Sequence, residues 1–415
     1  MLPFLSQLRG KRFWIAPAFF LLAVAPGSWI PVLANVLRAH GWSEFITLAF
    51  LVPPLANTLS PLLFAATADQ RFPAEKVLAF TVWGCSLLLY SAFHVIERNG
   101  PPALFLFLLT LAAVSATPAW SILSAITLTH LPGDTRNFGL YRVWGTLGWI
   151  AGGWIVSALK VDQSPLTGKL AAIALVLTGA VCLMLPHTPP KPASHATWKE
   201  LLGFSAFRIL THRDVAVFLG TSFLFSIPLA AFYMQTPQLL ATMGHQRVAA
   251  AMTLGQSTEI LALLGLGYLL RRWRIKWLLL TALASGTLRF AWLAMGAAQN
   301  SLAWVFCGIA LHGFCWTFFF EAGRVFLDRR VESGMRAQVQ ALMTLLTSGL
   351  GSMLGTVAAG TLHRTWVVGD LLMGWRNFWM ALALVCALCA LVFIAGYQGI
   401  SKNAERFGDL GHRPP

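Results

Sequence analysis

A chain of 415 residues that is 57% hydrophobic and only 11% charged is not composed like a soluble domain, which carries about 25% charged residues. Its 30 Lys and Arg against 15 Asp and Glu give a formal net charge of +15. The basic residues are dispersed over short loops between apolar runs, which excludes a nucleic-acid surface and fits the positive-inside pattern. Repeated apolar runs of about 20 residues mark an integral membrane protein.

Arg9, Lys11 and Arg12 precede the first apolar run, and no small-residue cleavage site follows a short apolar core. The run therefore reads as a retained membrane helix rather than a cleaved signal. Apolar spans follow at 13–37, 44–67, 77–96, 102–129, 138–159 and 169–187, then a polar break, then 213–242, 247–270, 275–298, 301–327, 336–362 and 374–398. The break contains His187-Thr-Pro-Pro-Lys-Pro-Ala-Ser-His195, the longest polar stretch. It divides the chain into an N-terminal six-helix half at 1–187, a cytoplasmic linker at 188–212, a C-terminal six-helix half at 213–398 and a cytoplasmic tail at 399–415. Lys and Arg favour one side of this map roughly threefold, which places both termini in the cytoplasm. The expected fold is an all-α membrane protein with twelve transmembrane helices in two six-helix halves, the major facilitator fold. Such folds hold substrate near the bilayer midplane between rocking halves.

The polar residues inside the spans are the candidates for function. Span one offers Trp29 and Asn35 beside Pro31. Span five carries Arg142, Thr146 and Trp149 at i, i+4, i+7, a single helix face. Gly145, Gly148 and Gly152 lie on an adjacent face suited to close helix contact. Arg142 either serves a ligand or functional partner, or makes an ion pair at the cytoplasmic mouth. Span seven has Pro228 and Pro237, with Phe232, Tyr233, Gln235 and Gln238 between and around them. Proline opens the hydrogen-bond ladder there, and aromatics with amides at such a bend suit a flat ligand with polar edges.

Span eight bears Thr253, Gln256 and Glu259 as a polar stripe with helical spacing. The stripe either lines a cavity or makes structural interhelical hydrogen bonds. Glu259 and Glu321, the latter in span ten, are the acids that fall within spans, and Glu259 is the first candidate for proton coupling. Glu321 has Arg324 three residues on, so local pairing competes with a transport role. Arg289 in span nine is expected in a structural ion pair, with Glu321 a possible partner, and His312 in span ten as a packing or titrating group. Span eleven has the small-residue pair Gly351 and Gly355. The six cysteines all lie in apolar segments, and the Cys386-x-x-Cys389 pair lacks a second ligand pair. They read as buried small hydrophobes, and no metal or cofactor is expected.

The following stretches together resemble the nucleoside:proton symporters of the major facilitator superfamily over most of the chain. They are Gly27-Ser-Trp-Ile-Pro-Val-Leu33, Leu59-Ser-Pro-Leu62, Ala68-Asp69-Gln-Arg71-Phe72, Arg142-Val-Trp-Gly-Thr146-Leu-Gly-Trp149, Gln256-Ser-Thr-Glu259, His312-Gly-Phe-Cys-Trp316-Thr-Phe-Phe-Phe-Glu321 and Arg336-Ala-Gln-Val-Gln340. The resemblance implies nucleoside binding by Arg142, Thr146, Trp149, Gln256 and Glu259, with Arg142 and Glu259 facing one cavity. Tyr233, Gln235, Trp29 and Thr317 complete the expected substrate set, and Glu259 and Glu321 the proton-coupling set. Thr317 stands where family members can carry Asp, and Met234 and Pro237 where they can carry amides. The oligosaccharide:proton symporters share the Arg-x-x-Gly-x-x-Gly-Trp pattern of span five, so a sugar carrier is the alternative substrate class. A membrane sensor with a degenerate transporter fold is the alternative outside transport. An enzyme is not expected, for want of a nucleotide-binding loop or catalytic constellation. The expected partners are a small-molecule substrate, protons and the lipid bilayer, for a functional monomer in a bacterial inner membrane.

Overall fold

A computed structural model describes residues 10–64, 72–131, 135–190, 200, 204–331, 335–368 and 371–399. The Ala68–Phe72 motif, except Phe72, lies outside these residues, as do most of the linker's first half and the tail beyond 399. Twelve helices follow the hydropathy pattern. They are α1 (Lys11–Ala39), α2 (Ile46–Phe64), α3 (Ala74–Glu97), α4 (Pro102–His130), α5 (Thr135–Ala158) and α6 (Leu166–Cys182). After the break come α7 (Arg213–Thr242), α8 (Val248–Arg272), α9 (Ile275–Ala298), α10 (Leu302–Asp328), α11 (Arg336–Trp366) and α12 (Leu371–Gly396). Among the described residues, nine of them are long and apolar enough to cross a bilayer on those criteria alone. Of the other three, α6 is apolar but only 17 residues long, and α5 is diluted by glycine, tryptophan and Arg142.

Four helices depart from regular α geometry. In α1 a 3-10 turn at Ile30–Val32 surrounds Pro31, whose missing N–H leaves the ladder open. α8 begins as Val248–Met252, breaks at Thr253 and resumes at Leu254. α10 and α11 each contain a wide π-turn, at Thr317–Glu321 and Leu345–Gly351.

The chain packs as two units. One comprises Met1–Trp198 with Ala230–Gln256, the other Lys199–Leu229 with Ser257–Pro415. The division falls inside α7 and inside α8. In the first unit α1 runs along α5, and α3 packs between α4 and α6. In the second, α9 packs on α12 and α10, with the Phe290 and Trp379 rings stacked at 5.7 Å. Leu384, Leu388 and Leu391 form a stripe along α12 that is 65%, 59% and 63% exposed. A contiguous stripe of that kind is anomalous in water and natural against acyl chains.

The glycines of α5 permit its contact with α1. A Cβ on Gly152 would lie 2.5 Å from the Val24 carbonyl oxygen, and one on Gly148 would collide with the Phe20 carbonyl. Backbone cannot move aside as a flexible side chain can. Gly148→Ala is therefore expected to lower stability by about 1–3 kcal/mol, the usual cost of overpacking, seen as a lower unfolding temperature in detergent. Gly139→Ala is the control on the same helix, because a Cβ there meets nothing within 4 Å.

Candidate functional site

Within the first unit, α5, α7 and α8 bring Trp149, Tyr233 and Gln256 into contact. The Trp149 and Tyr233 ring centroids are 5.8 Å apart at an interplanar angle of 54°. Gln256 Nε2 donates to Tyr233 Oη at 2.6 Å. Gly27 on α1 sets the depth of Trp149, since any Cβ there would run into the Trp149 backbone. Two polar atoms of this cluster are buried without a hydrogen-bond partner among the described residues: Trp149 Nε1, a donor, and Gln256 Oε1, an acceptor. A buried polar atom left unpaired costs about 1–3 kcal/mol, so a donor and an acceptor left open beside two aromatic rings favour a ligand that supplies the opposite groups.

Arg142 and Thr146 lie on the same α5 face as Trp149. Seven residues of helix separate Arg142 from Trp149, about 10 Å at the usual rise. Arg142 is exposed, and Thr146 and Trp149 are half-buried. On α7, Gln235 is buried and its Oε1 accepts from Gln238 Nε2 at 2.9 Å. The amide pair predicted to flank the bend is thus joined to itself, with Gln238 Nε2 also donating to the Met234 carbonyl at 2.9 Å. Trp29 packs edge-on to Phe93 at 5.9 Å.

Asn35 is the amide that span one offers beside Pro31. Its Nδ2 donates to the Pro237 carbonyl at 3.1 Å, which ties α1 to α7 where proline has opened the ladder. Its Oδ1 is buried and without a hydrogen-bond partner among the described residues.

In the second unit, Glu259 is half-buried on α8. Gly313 of α10 lies directly against its backbone, so close that a Cβ would overlap the Glu259 amide nitrogen. Next to it Thr258 Oγ1 donates to the Ala310 carbonyl at 2.6 Å. α10 therefore fixes the backbone from which the Glu259 carboxylate projects. Thr317 is fully buried at the start of the π-turn, its hydroxyl without a hydrogen-bond partner among the described residues. Glu321 ends the same turn, half-buried. Wide turns of this kind recur at functional positions in helices. Arg289 is fully buried, with Nη1 3.9 Å from Cys315 Sγ and its guanidinium 5.0 Å from the Phe290 ring centre. His312 stacks on Trp316 at 6.1 Å.

Known proteins resemble this one over nearly its full length. The family model described as nucleoside H+ symporter matches residues 16–402. YegT of Escherichia coli (strain K12) is 31% identical over 387 residues, covering 90% of each chain. The nucleoside permease NupG of the same organism is 25% identical over 396 residues, covering 90% of this chain and 92% of its own. A crystal structure of nucleoside transporter NupG superposes with a TM-score of 0.79 at 23% identity, covering 94% of this chain and all of that one. The fold is thus the twelve-helix major facilitator fold. The chain belongs to the nucleoside H+ symporter family, as a multi-pass membrane protein that couples nucleoside transport to protons.

Proposed function

We propose that this transporter imports nucleosides with protons across a bacterial inner membrane, as a functional monomer with both termini in the cytoplasm. The observation that carries the binding assignment is the cluster of Trp149, Tyr233 and Gln256 with its open donor and acceptor. The Trp149 ring stacks on the base, a contact that tolerates every base because each has a π-face. Gln256 and Glu259 take ribose hydroxyls, and Arg142 and Thr146 take polar edges of the ligand. Glu259 is the proton-coupling carboxylate, with Glu321 second. The orientation rests on the excess of Lys and Arg on the side of the termini.

The test is uptake of labelled uridine into proteoliposomes, with and without an acid-outside pH gradient. The expected result is accumulation that needs the gradient, collapses with a protonophore, and is competed by adenosine but not by disaccharides. Competition by disaccharides alone would reassign the substrate to sugars. Equal uptake without the gradient would overturn proton coupling.

A further inference from the structure

Asp162 lies in the turn between α5 and α6, outside the spans, yet it is only 4% exposed. Its Oδ1 accepts from the Ala249 amide at 2.7 Å and from the Ser157 hydroxyl at 2.9 Å. The Ser157 oxygen in turn accepts from the Ala250 amide at 3.0 Å. These are among the first amides of α8, which have no carbonyl partner within their own helix. One turn back along α5, a Cβ on Gly153 would lie 2.9 Å from the Ala249 carbonyl oxygen, so the two backbones meet there. Asp162 Oδ2 is buried and has no hydrogen-bond partner among the described residues. The end of α5 thus grips the start of α8 through one carboxylate and one hydroxyl, and the gripped segment ends at the Thr253 break, three residues before Gln256.

We propose that Asp162 is a positioning residue for transport: a proton-binding clasp that holds the start of α8 against the end of α5 and so sets where α8 presents Gln256. The inference rests on Gln256 being a binding residue, but the clasp itself is tested independently of that reading.

Burial pushes the Asp162 carboxyl up, against the Ala249 amide, the Ser157 hydroxyl and the charge of His245, which all favour the ionised form. His245 faces it from the turn between α7 and α8. Lys160 on its own turn and Arg247 ahead of α8 are the other ionisable groups of these segments. A carboxyl raised in the clasped state binds its proton more tightly there than when solvated. The proton's contribution to the clasp is therefore fully present in acid, and it is lost as pH rises through the clasped value, which lies above that of a solvated aspartate. The neutral acid keeps its acceptor oxygen for Ala249 and Ser157, so protonation does not break the grip.

Hydrogen exchange of the full-length protein in lipid nanodiscs, corrected for intrinsic rates, reads the Ala249 and Ala250 amides directly. Between pH 7.5 and 5 the wild type is expected to gain protection over 248–252. Asp162→Asn, which mimics the neutral acid, is expected to be protected without a pH slope. Asp162→Ala is expected to lose roughly tenfold in protection, as befits the loss of a buried hydrogen bond to the Ala249 amide, and to raise the KM for uridine more than it lowers the maximal rate. His245→Gln is expected to keep the slope, which separates Asp162 from its histidine neighbour. Unchanged protection in Asp162→Ala would overturn the clasp, and a wild-type slope in Asp162→Asn would overturn its proton dependence. If Gln256 proves not to bind nucleoside, the exchange results still judge the clasp and only the KM effect is lost.

Discussion

Glu259→Gln is expected to cut gradient-driven nucleoside accumulation on the order of 100-fold, about 2.7 kcal/mol, while leaving substrate exchange across the membrane at equal pH within a few-fold. The amide keeps the size of the carboxylate and its ability to hydrogen-bond, and it loses the exchangeable proton. The backbone at this position is held on two counts, by Gly313 against the Glu259 amide and by Thr258 on the Ala310 carbonyl. α8 therefore has little freedom to carry a different group into the same place. Glu259→Asp withdraws the carboxyl by one methylene on that fixed backbone and is expected to fall between wild type and Gln. Uptake of labelled uridine with an imposed pH gradient, set beside counterflow at equal pH, makes the separation. Normal accumulation by Glu259→Gln would move coupling to Glu321.

Trp149→Ala is expected to weaken nucleoside binding about 10- to 100-fold, in line with about 1–3 kcal/mol for a base stacked on an aromatic ring. Trp149→Phe keeps a ring against Tyr233 and removes the Nε1 donor, which has no hydrogen-bond partner among the described residues. Its expected loss is about tenfold or less, and it should be larger for ligands that offer an acceptor there than for ligands that do not. Competition of unlabelled nucleosides against labelled uridine reports both variants. Equal affinity in Trp149→Ala would remove the stacking role and leave the ring as packing under Gly27.

The helices were legible in the sequence because bilayer thickness imposes a length and proline, glycine and charge punctuate it. The span expected at 275–298 is α9, Ile275–Ala298. The glycines of α5 were legible too, since spacing alone puts Gly148 and Gly152 on one face. The break at Thr253 and the two π-turns were not, because they leave hydropathy unchanged and arise from how neighbouring helices seat their side chains. The packing division inside α7 is invisible for the same reason, one apolar run serving both units. At the candidate site, the i, i+4, i+7 spacing pointed to Trp149 and the polar stripe to Gln256, which the structure brings together through Tyr233. That Gln235 would turn to Gln238 was written in their three-residue separation but outweighed by the bend at Pro237. Asp162 was passed over because a charge in a short turn is ordinarily solvated, and only its contact with Ala249, 87 residues away, takes it out of water.

The π-turn at Thr317–Glu321 holds one residue more than a regular turn would. Each residue of a helix advances about 100°, so that extra residue rotates everything after it relative to everything before. Downstream, Gln340 of α11 donates to the Arg324 carbonyl at 3.0 Å and to the Asp328 carboxylate at 2.8 Å, a clamp formed in the rotated register. A chimera joining the first part of α10 from this chain to the last part from a relative inherits the right facing only if both parents share the wide turn. Where they do not, a one-residue insertion or deletion at the junction, which looks like an error in an alignment, is what restores the clamp.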